Sequence, residues 1–453
     1  MTADTTVTRT PLDGTQRLLA VALVLGVTLV AFESTALITA LPTITDELGG
    51  DSLYGVALAT YTLANLVALV AAGRYADKRG PRPTFLVAIS VFVVGLVVGA
   101  LAPSMPVVVL ARALQGAGAG GFAPIAYVLV KRAFPHDRQA MMYVYLSAGW
   151  VLPSLVAPAF GGIITEQFGW RWVFAGIIPL AIAVAAIASV PMRRFGPSEV
   201  EADPAEGNRI LVAFGASSGV AMVIIGLRSP DLVVLVPVVV AGAAFAVPML
   251  RRLLPAGVAT ARAGQPAVLA CRFLATATFI GVDGFVPLAA DRIHGASPMA
   301  QGFTIIGAAL TWTVGQALVA RRPHVDTART VRVGFALCMA GAILVMPVLI
   351  PSWPLWATFL GWSVGGLGMG IVYNPTTVAS MSYAEEGREG LVSGQTQLID
   401  ALGFSVMGGI GGALVAVADR SGFALRDALL VLFLLAISTA GLGIVASRGA
   451  RPA

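Results

Sequence analysis

LLAVALVLGVTLVAFESTALITAL, Leu18 to Leu41, is an apolar run interrupted by a single carboxylate, Glu33. A helix of this length rises about 1.5 Å per residue and crosses about 30 Å of hydrocarbon, which places Glu33 in the membrane interior. Holding a charge there costs roughly 2.5 to 3.5 kcal/mol on an insertion scale, so the acid faces a cavity or a partner rather than lipid. Two readings follow: a functional site, or a buried acid that tethers one helix to another.

The rest of the chain repeats the pattern. Of 453 residues, 57% are apolar and 11% charged, against about 25% charged in a soluble domain. This composition describes an integral membrane protein. The net charge of +6 belongs to loops rather than to a nucleic-acid-binding domain, because no soluble segment is long enough to make one. Cys271 and Cys338 fall inside apolar runs as inert packing groups. His136, His294 and His324 are scattered in loops without a second ligand at metal spacing, so no metal and no cofactor are expected. Met1 to Arg17 is polar and the run after it is too long for a signal sequence, so the first helix is expected to be retained. Lys78 and Lys131, the two lysines, lack the preceding G-x-x-x-x-G of a phosphate-binding loop, which excludes ATP-driven transport.

Fourteen spans are predicted: 18–41, 54–72, 83–103, 106–130, 140–164, 171–190, 210–227, 231–250, 265–290, 301–320, 330–350, 354–381, 391–417 and 424–446. With this map, 22 of the 29 Lys and Arg side chains fall in one set of loops and tails and 5 in the other. The richer set, with both termini, is therefore expected to be cytoplasmic. The organisation reads as a tail (1–17), a six-helix bundle (18–190), a linker (191–209), an inserted two-helix hairpin (210–250), a second linker (251–264), a second six-helix bundle (265–447) and a short tail (448–453). The first linker, with Glu199, Glu201, Asp203 and Glu206, is expected to stay solvated. Two six-helix halves are the outline of transporters built from repeats, with the substrate near the midplane. GRYADKRGPRP after the second helix is loosely echoed by GQALVARRPH, Gly315 to His324.

Asp77 stands among Arg74, Lys78, Arg79 and Arg82. It can cap a nearby helix or pair with an arginine, and either contact could break when helices move; a solvated topogenic loop is the alternative. The pattern G-R-Y-A-D-K-R-G-P-R resembles the signature loop of the major facilitator superfamily, with Gly73, Asp77, Arg79, Gly80 and Arg82 at matching or near-matching positions. Other stretches resemble its fourteen-helix drug/proton antiporter branch: ESTALITALP (Glu33–Pro42), with Glu33 where aspartate is usual and Ile38 where asparagine is usual; RALQGAGAGG (Arg112–Gly121); GWRWVF (Gly169–Phe174); and GLGMGIVYNP (Gly366–Pro375) followed by GLVSGQTQ (Gly390–Gln397). The fifth-helix motif departs from the pattern, with Ala157-Pro158-Ala159-Phe160-Gly161-Gly162 in place of Gly-Pro-x-x-Gly-Gly and Pro153 where another glycine is typical. That weakens the implication of antiport, although small residues still permit close packing at a hinge. The resemblance implies an all-α major facilitator fold, a conformational switch at the signature loop and at Pro158, Gly161 and Gly162, and a monomer.

The charges inside spans define the candidate machinery. Glu33 and Arg112 lie about 13 Å and about 9 Å from the same membrane face, close enough in depth to pair. Pairing favours the carboxylate and burial favours the protonated acid, so displacement of Arg112 would load a proton; a static pair is the alternative. Arg272 and Asp283 share a helix face but sit about 16 Å apart along the axis. Arg272 and Asp400 are the expected second-half pair. Asp283 is left as a second protonation or cation-recognition site, or as a hydrogen-bonded structural acid. Tyr61, Asn65, Tyr127, Trp150, Trp312, Gln316, Tyr373, Asn374, Gln395 and Gln397 are candidates for the lining of a central cavity, with helix packing as the alternative for each.

These readings converge on a proton-coupled exporter of lipophilic or cationic small molecules that works by alternating access in the cell membrane. A lipid or metabolite transporter on the same scaffold is the nearest alternative. A membrane enzyme is disfavoured because no nucleophile stands with a base at motif spacing.

Overall fold

Asp13 starts the first helix by a reciprocal cap: its Oδ1 accepts from the Gln16 N–H at 2.6 Å, and the Gln16 Oε1 accepts from the Asp13 N–H at 3.0 Å. Two orphan donors are thereby satisfied, as D-x-x-Q before an apolar run demands. The structure is a computed structural model and describes residues 10–49, 53–197, 208–227, 232–322, 326–421 and 424–453. Its helices are α1 (Gly14–Leu48), α2 (Tyr54–Arg79), α3 (Pro81–Ala100), α4 (Met105–Ala133), α5 (His136–Phe168), α6 (Arg171–Ala175), α7 (Ile178–Ser189), α8 (Arg209–Leu227), α9 (Leu232–Leu253), α10 (Gln265–Asp283), α11 (Val286–His294), α12 (Pro298–Ala320), α13 (Thr327–Val345), α14 (Leu355–Ser382), α15 (Glu389–Ser421) and α16 (Leu425–Ala446).

Among the described residues, 13 segments are long and apolar enough to cross a membrane. The remaining predicted span, 140–164, falls on α5, a continuous 33-residue helix in which the side chains of Leu152, Ser154, Leu155, Pro158 and Ala159 lie outside the described residues. Two predicted spans are broken in the middle. The sixth consists of α6 and α7, and the ninth of α10 and α11, with Gly284 and Phe285 between them. Conversely, α1 does not stop at Pro42 but continues to Leu48. Proline removes one hydrogen bond, and burial of Leu41 and Ile44 on either side of it holds the helix together regardless. The turn expected at Arg228–Pro230 and the acidic linker residues Glu199, Glu201, Asp203 and Glu206 lie outside the described residues.

Two apolar cores organise the helices. Phe85, Phe92, Phe122, Trp170 and Phe174 anchor α1–α7; Phe279, Phe335, Trp362 and Phe433 anchor α10–α16. The two bundles are built alike. In the first, α4 packs on α2 and α3, and α1 on α5; in the second, α14 packs on α12 and α13, and α10 on α15.

A glycine pattern explains the likeness. In Gly116-x-Gly118-x-Gly120 on α4, the outer two face the α2 backbone at Tyr61 and Asn65, and the middle one faces Phe92 of α3. In Gly366-x-Gly368-x-Gly370 on α14, the outer two face the α12 backbone at Ala308 and Trp312, and the middle one faces Gly334 and Cys338 of α13. A Cβ at any of the six would come nearer than 3.0 Å to those atoms. Helices in lipid associate by this kind of close backbone approach, because an apolar solvent supplies no hydrophobic drive.

Candidate functional site at the bundle interface

In the first bundle, Arg112 of α4 reaches Glu33 of α1. Its Nη1 donates to Glu33 Oε1 at 2.7 Å and to Gln115 Oε1 at 2.9 Å, while its guanidinium lies 4.0 Å above the Tyr61 ring of α2. Glu33 and Arg112 are 1% and 3% exposed, so neither faces lipid. The network is incompletely bonded: Glu33 Oε2, Arg112 Nε and Gln115 Nε2 have no partner among the described residues. A buried carboxylate with one oxygen engaged and the other free has a place for a proton. Gln115 was not among the residues expected from sequence, although it lies one turn from Arg112 within RALQG, where an i, i+3 neighbour shares the helix face.

The second bundle holds a different arrangement. The Arg272 Nε donates to Asp400 Oδ1 at 3.0 Å and its Nη2 donates to Asp400 Oδ2. The Tyr373 hydroxyl donates to Oδ2 at 2.8 Å, and the Arg272 guanidinium lies 4.1 Å above the Tyr373 ring and also donates to Thr377. Both carboxylate oxygens are thus occupied in a bidentate pair, the strong geometry for arginine. Asp283 stands apart from Arg272, as its helix position requires, and accepts from the Trp362 Nε1 at 2.7 Å.

The bundles join at the end that carries both chain termini. There the Asp77 oxygens accept from the Gly390 N–H at 2.8 Å and the Leu391 N–H at 3.0 Å, the first turn of α15, where free N–H groups and the helix dipole favour an anion. Arg132 bridges the junction, 2.6 Å from Glu389 and 3.7 Å from Asp77. Gly73 meets Gly390 backbone to backbone, with no room for a Cβ on either. Gly80, at φ +87°, turns α2 into Pro81 at the head of α3, a conformation that glycine adopts without strain. The Arg82 Nε donates to the Ser189 carbonyl at 3.2 Å, and Arg79 is exposed. Gly161 abuts Ala36 and Thr39 of α1, whereas Gly162 has open space around it and takes no part in close packing.

The candidate cavity residues divide. Tyr61 lies beneath Arg112, and Asn65, one turn along α2, is half-buried. The Tyr127 ring packs 5.0 Å from that of Tyr143 on α5. Trp312 sits between Phe279 at 4.8 Å and Tyr373 at 5.3 Å. Gln316 donates to Ser147 at 2.6 Å and Asn374 to the Ala140 carbonyl at 2.9 Å, so both tie the second bundle to α5. Trp150 is 50% exposed and Gln397 is half-buried on α15. Gln395 departs from the expectation. Its Nε2 donates to the Leu253 carbonyl at 2.9 Å, so it holds α9 rather than lining the space between the bundles. Depth along a helix follows from residue count, but the neighbour a residue faces does not.

The Tyr143 hydroxyl of α5 and the Trp312 Nε1 and Gln316 Oε1 of α12 are buried without a partner among the described residues.

A family model described as Major Facilitator Superfamily matches residues 23–408. The chain belongs to this superfamily. An uncharacterized transporter of the superfamily from Mycobacterium tuberculosis (strain ATCC 25618 / H37Rv) is 36% identical over 168 residues, 37% of this chain. This chain spans only 24% of that relative's length. A second protein of the same organism, named a "Probable multidrug-efflux transporter", is 26% identical over 444 residues, covering 93% of this chain and 92% of its own. The crystal structure of the human organic anion transporter MFSD10 (TETRAN) superposes with a TM-score of 0.69 at 15% identity, covering 95% of this chain and 100% of that one. It shares the fold. The superfamily consists of multi-pass membrane transporters, and the buried charges described above lie within its helices.

The GWRWVF stretch has a structural use in this fold. The Trp170 Nε1 and Arg171 Nη1 donate to the two oxygens of Glu47 at 2.8 and 2.7 Å, tying the end of α1 to α6. The Arg171 contact, with that of Trp170, holds the Glu47 carboxyl below its ordinary value of 4.5. A lowered folded-state value contributes stability that is complete above pH 4.5 and disappears as the pH falls through the lowered value. Both ion-pair partners are well exposed, so the contribution is under about 1 kcal/mol. Glu47→Gln is therefore expected to lower the melting temperature of the detergent-solubilised protein by about 1 to 2 °C at pH 7. The gap should close on acidification below pH 4.5; one that stays constant to pH 3.5 would refute the assignment.

Proposed function

We propose that this chain is a proton-coupled exporter of lipophilic or cationic small molecules, of the fourteen-helix drug/proton antiporter branch, acting as a single chain in the cytoplasmic membrane. Both termini are then inside, and the joined bundle ends close the cytoplasmic side, which makes the described state the outward-facing one. The reading rests on one observation above the others: the incompletely bonded pair of Glu33 and Arg112, buried in the first bundle. Displacing Arg112 removes the only ion-pair partner that Glu33 has among the described residues, after which the buried acid takes a proton. Restoring the contact expels it.

In the cycle, a proton enters Glu33 from outside as substrate leaves. The protonated first bundle then rocks against the second, breaking the contacts of Asp77 with α15, and the proton is released inside when Arg112 re-engages. For a neutral substrate, a proton moved through 100 mV supplies about 2.3 kcal/mol; for a monovalent cation exchanged one for one the charges cancel and the pH gradient alone drives the exchange. The reading gains support from the relative named for multidrug efflux, which matches 93% of this chain. Purified protein in liposomes is expected to drive lipophilic cations uphill when a pH gradient is imposed and to acidify the opposite compartment in step. Uphill flux indifferent to the gradient, or flux of phospholipid alone, would overturn the reading.

A further inference from the structure

The alternating glycines that set α4 against α2 and α14 against α12 also fix which residues of the two bundles correspond. Arg112 stands four residues before Gly116, and Trp362 stands four residues before Gly366. Each is also seven residues past the first residue of its helix, Met105 in one and Leu355 in the other. Trp362 is thus the counterpart of Arg112. The acids that these two residues hold correspond as well. Glu33 lies on α1 and Asp283 on α10, each the first helix of its bundle, nineteen residues after Gly14 and eighteen after Gln265. The two hydrogen bonds have the same length, 2.7 Å from Arg112 to Glu33 and 2.7 Å from Trp362 to Asp283.

The partners differ in charge. Arg112 brings a cation to Glu33, whereas the indole N–H of Trp362 brings one neutral donor to one oxygen of Asp283. Among the described residues Asp283 has no ion-pair partner, and its second oxygen accepts no hydrogen bond. A neutral donor orients a carboxylate without cancelling its charge, and an acid within a membrane span is compensated by a partner or lies on a water-filled path. Access differs too, because Glu33 is buried and Asp283 only half-buried. Its surroundings are aromatic. Phe279, one turn back along α10, has its ring 5.4 Å from that of Trp362 and 4.8 Å from that of Trp312. Where α12 sets Trp312 against Gly370, α2 sets the polar Asn65 against Gly120.

We infer that Asp283 is the counter-charge for a monovalent organic cation, so that the two corresponding acids divide the work: Glu33 carries the proton and Asp283 takes the charged substrate. Aromatic rings beside the carboxylate attract such a cation and its apolar substituents. A metal ion would need several oxygen ligands, and among the described residues no group of three or more His, Cys, Asp or Glu side chains could hold one. That the bound cation is the exported molecule rests on the transport reading; the cation site itself does not.

The test is equilibrium binding of radiolabelled tetraphenylphosphonium to the whole purified protein in detergent, with no gradient. The wild type should bind it saturably, and the neutral triphenylphosphine oxide should compete poorly. Asp283→Asn, which keeps an oxygen for the Trp362 N–H, should weaken binding by about tenfold or more, while Glu33→Gln should stay within about twofold of the wild type. Asp283→Glu should restore most of the lost affinity, and melting curves establish that each variant is folded. A quaternary ammonium compound bearing a diazirine reports the same point on the unmodified chain. Its adducts should fall on Phe279, Asp283 or Trp362 and disappear in excess tetraphenylphosphonium. No saturable binding by the wild type, an affinity unchanged in Asp283→Asn, or adducts confined to α1 and α4 would overturn the inference. Coupled transport with binding indifferent to Asp283 would sink the cation site alone, and binding that depends on Asp283 without coupled transport would sink the transport reading alone.

Discussion

Glu33→Gln is expected to abolish gradient-driven accumulation while leaving substrate exchange intact. One proton exchanged for one substrate down a pH gradient of about 1.7 units is worth about 2.3 kcal/mol, which sustains roughly a 50-fold concentration ratio whatever the substrate's charge. Glutamine keeps the shape and an oxygen for the Arg112 Nη1, but it neither takes nor gives a proton, so that ratio should fall to unity. The variant should lose stability, because Arg112 is left buried without its counter-ion, and should still fold. Arg112 retains Gln115 Oε1 at 2.9 Å and the Tyr61 ring at 4.0 Å when the carboxylate charge is gone. Glu33→Asp, which keeps the charge with a reach shorter by one methylene, should recover part of the coupled flux. Uphill transport by Glu33→Gln at the wild-type ratio would remove this acid from the mechanism.

The fold was legible to the extent that membrane physics is one-dimensional. An apolar run of given length must span, and a carboxylate or guanidinium within it must find a partner; depth along the axis brought Glu33 to the level of Arg112 and Arg272 to that of Asp400. What depth leaves open is azimuth and neighbour. Gln395 lies at a plausible cavity height but faces Leu253 of the hairpin. Arg132 and Glu389 pair across a separation of 257 residues, and in the sequence Arg132 looks like any basic loop residue that sets topology. The break after Asp283 and the passage of α1 through Pro42 depended on packing around them, which overrides local propensity. The alternating glycines of α4 and α14 were visible in RALQGAGAGG and GLGMGIVYNP. Their meaning as matching contacts in the two bundles emerged only once α2 and α12 were seen against them.

The two buried ion pairs should behave oppositely under substitution, and the contrast separates a working charge from a structural one. Arg272 holds both oxygens of Asp400, and the Tyr373 hydroxyl adds a third bond. Removing either charge leaves the other buried without its counter-ion, at a cost of about 3 to 5 kcal/mol. Arg272→Met and Asp400→Leu are therefore each expected to lower the melting temperature sharply and reduce the yield of folded protein. Removing both charges leaves no uncompensated ion, and apolar groups of similar size in place of a buried pair are often neutral. The double variant should thus melt above either single variant, and a loss equal to the sum of the two would show that the pair is not coupled. Because both oxygens of Asp400 already accept hydrogen bonds from Arg272 or Tyr373, its charged form is the better satisfied of the two buried acids, and the double variant should keep gradient-driven flux wherever it folds. Glu33, with one oxygen free, permits no such repair: Glu33→Gln combined with Arg112→Met should regain stability and still fail to couple. Coupled flux in that combination, or its loss in the Arg272→Met/Asp400→Leu protein at full stability, would exchange the roles of the two pairs.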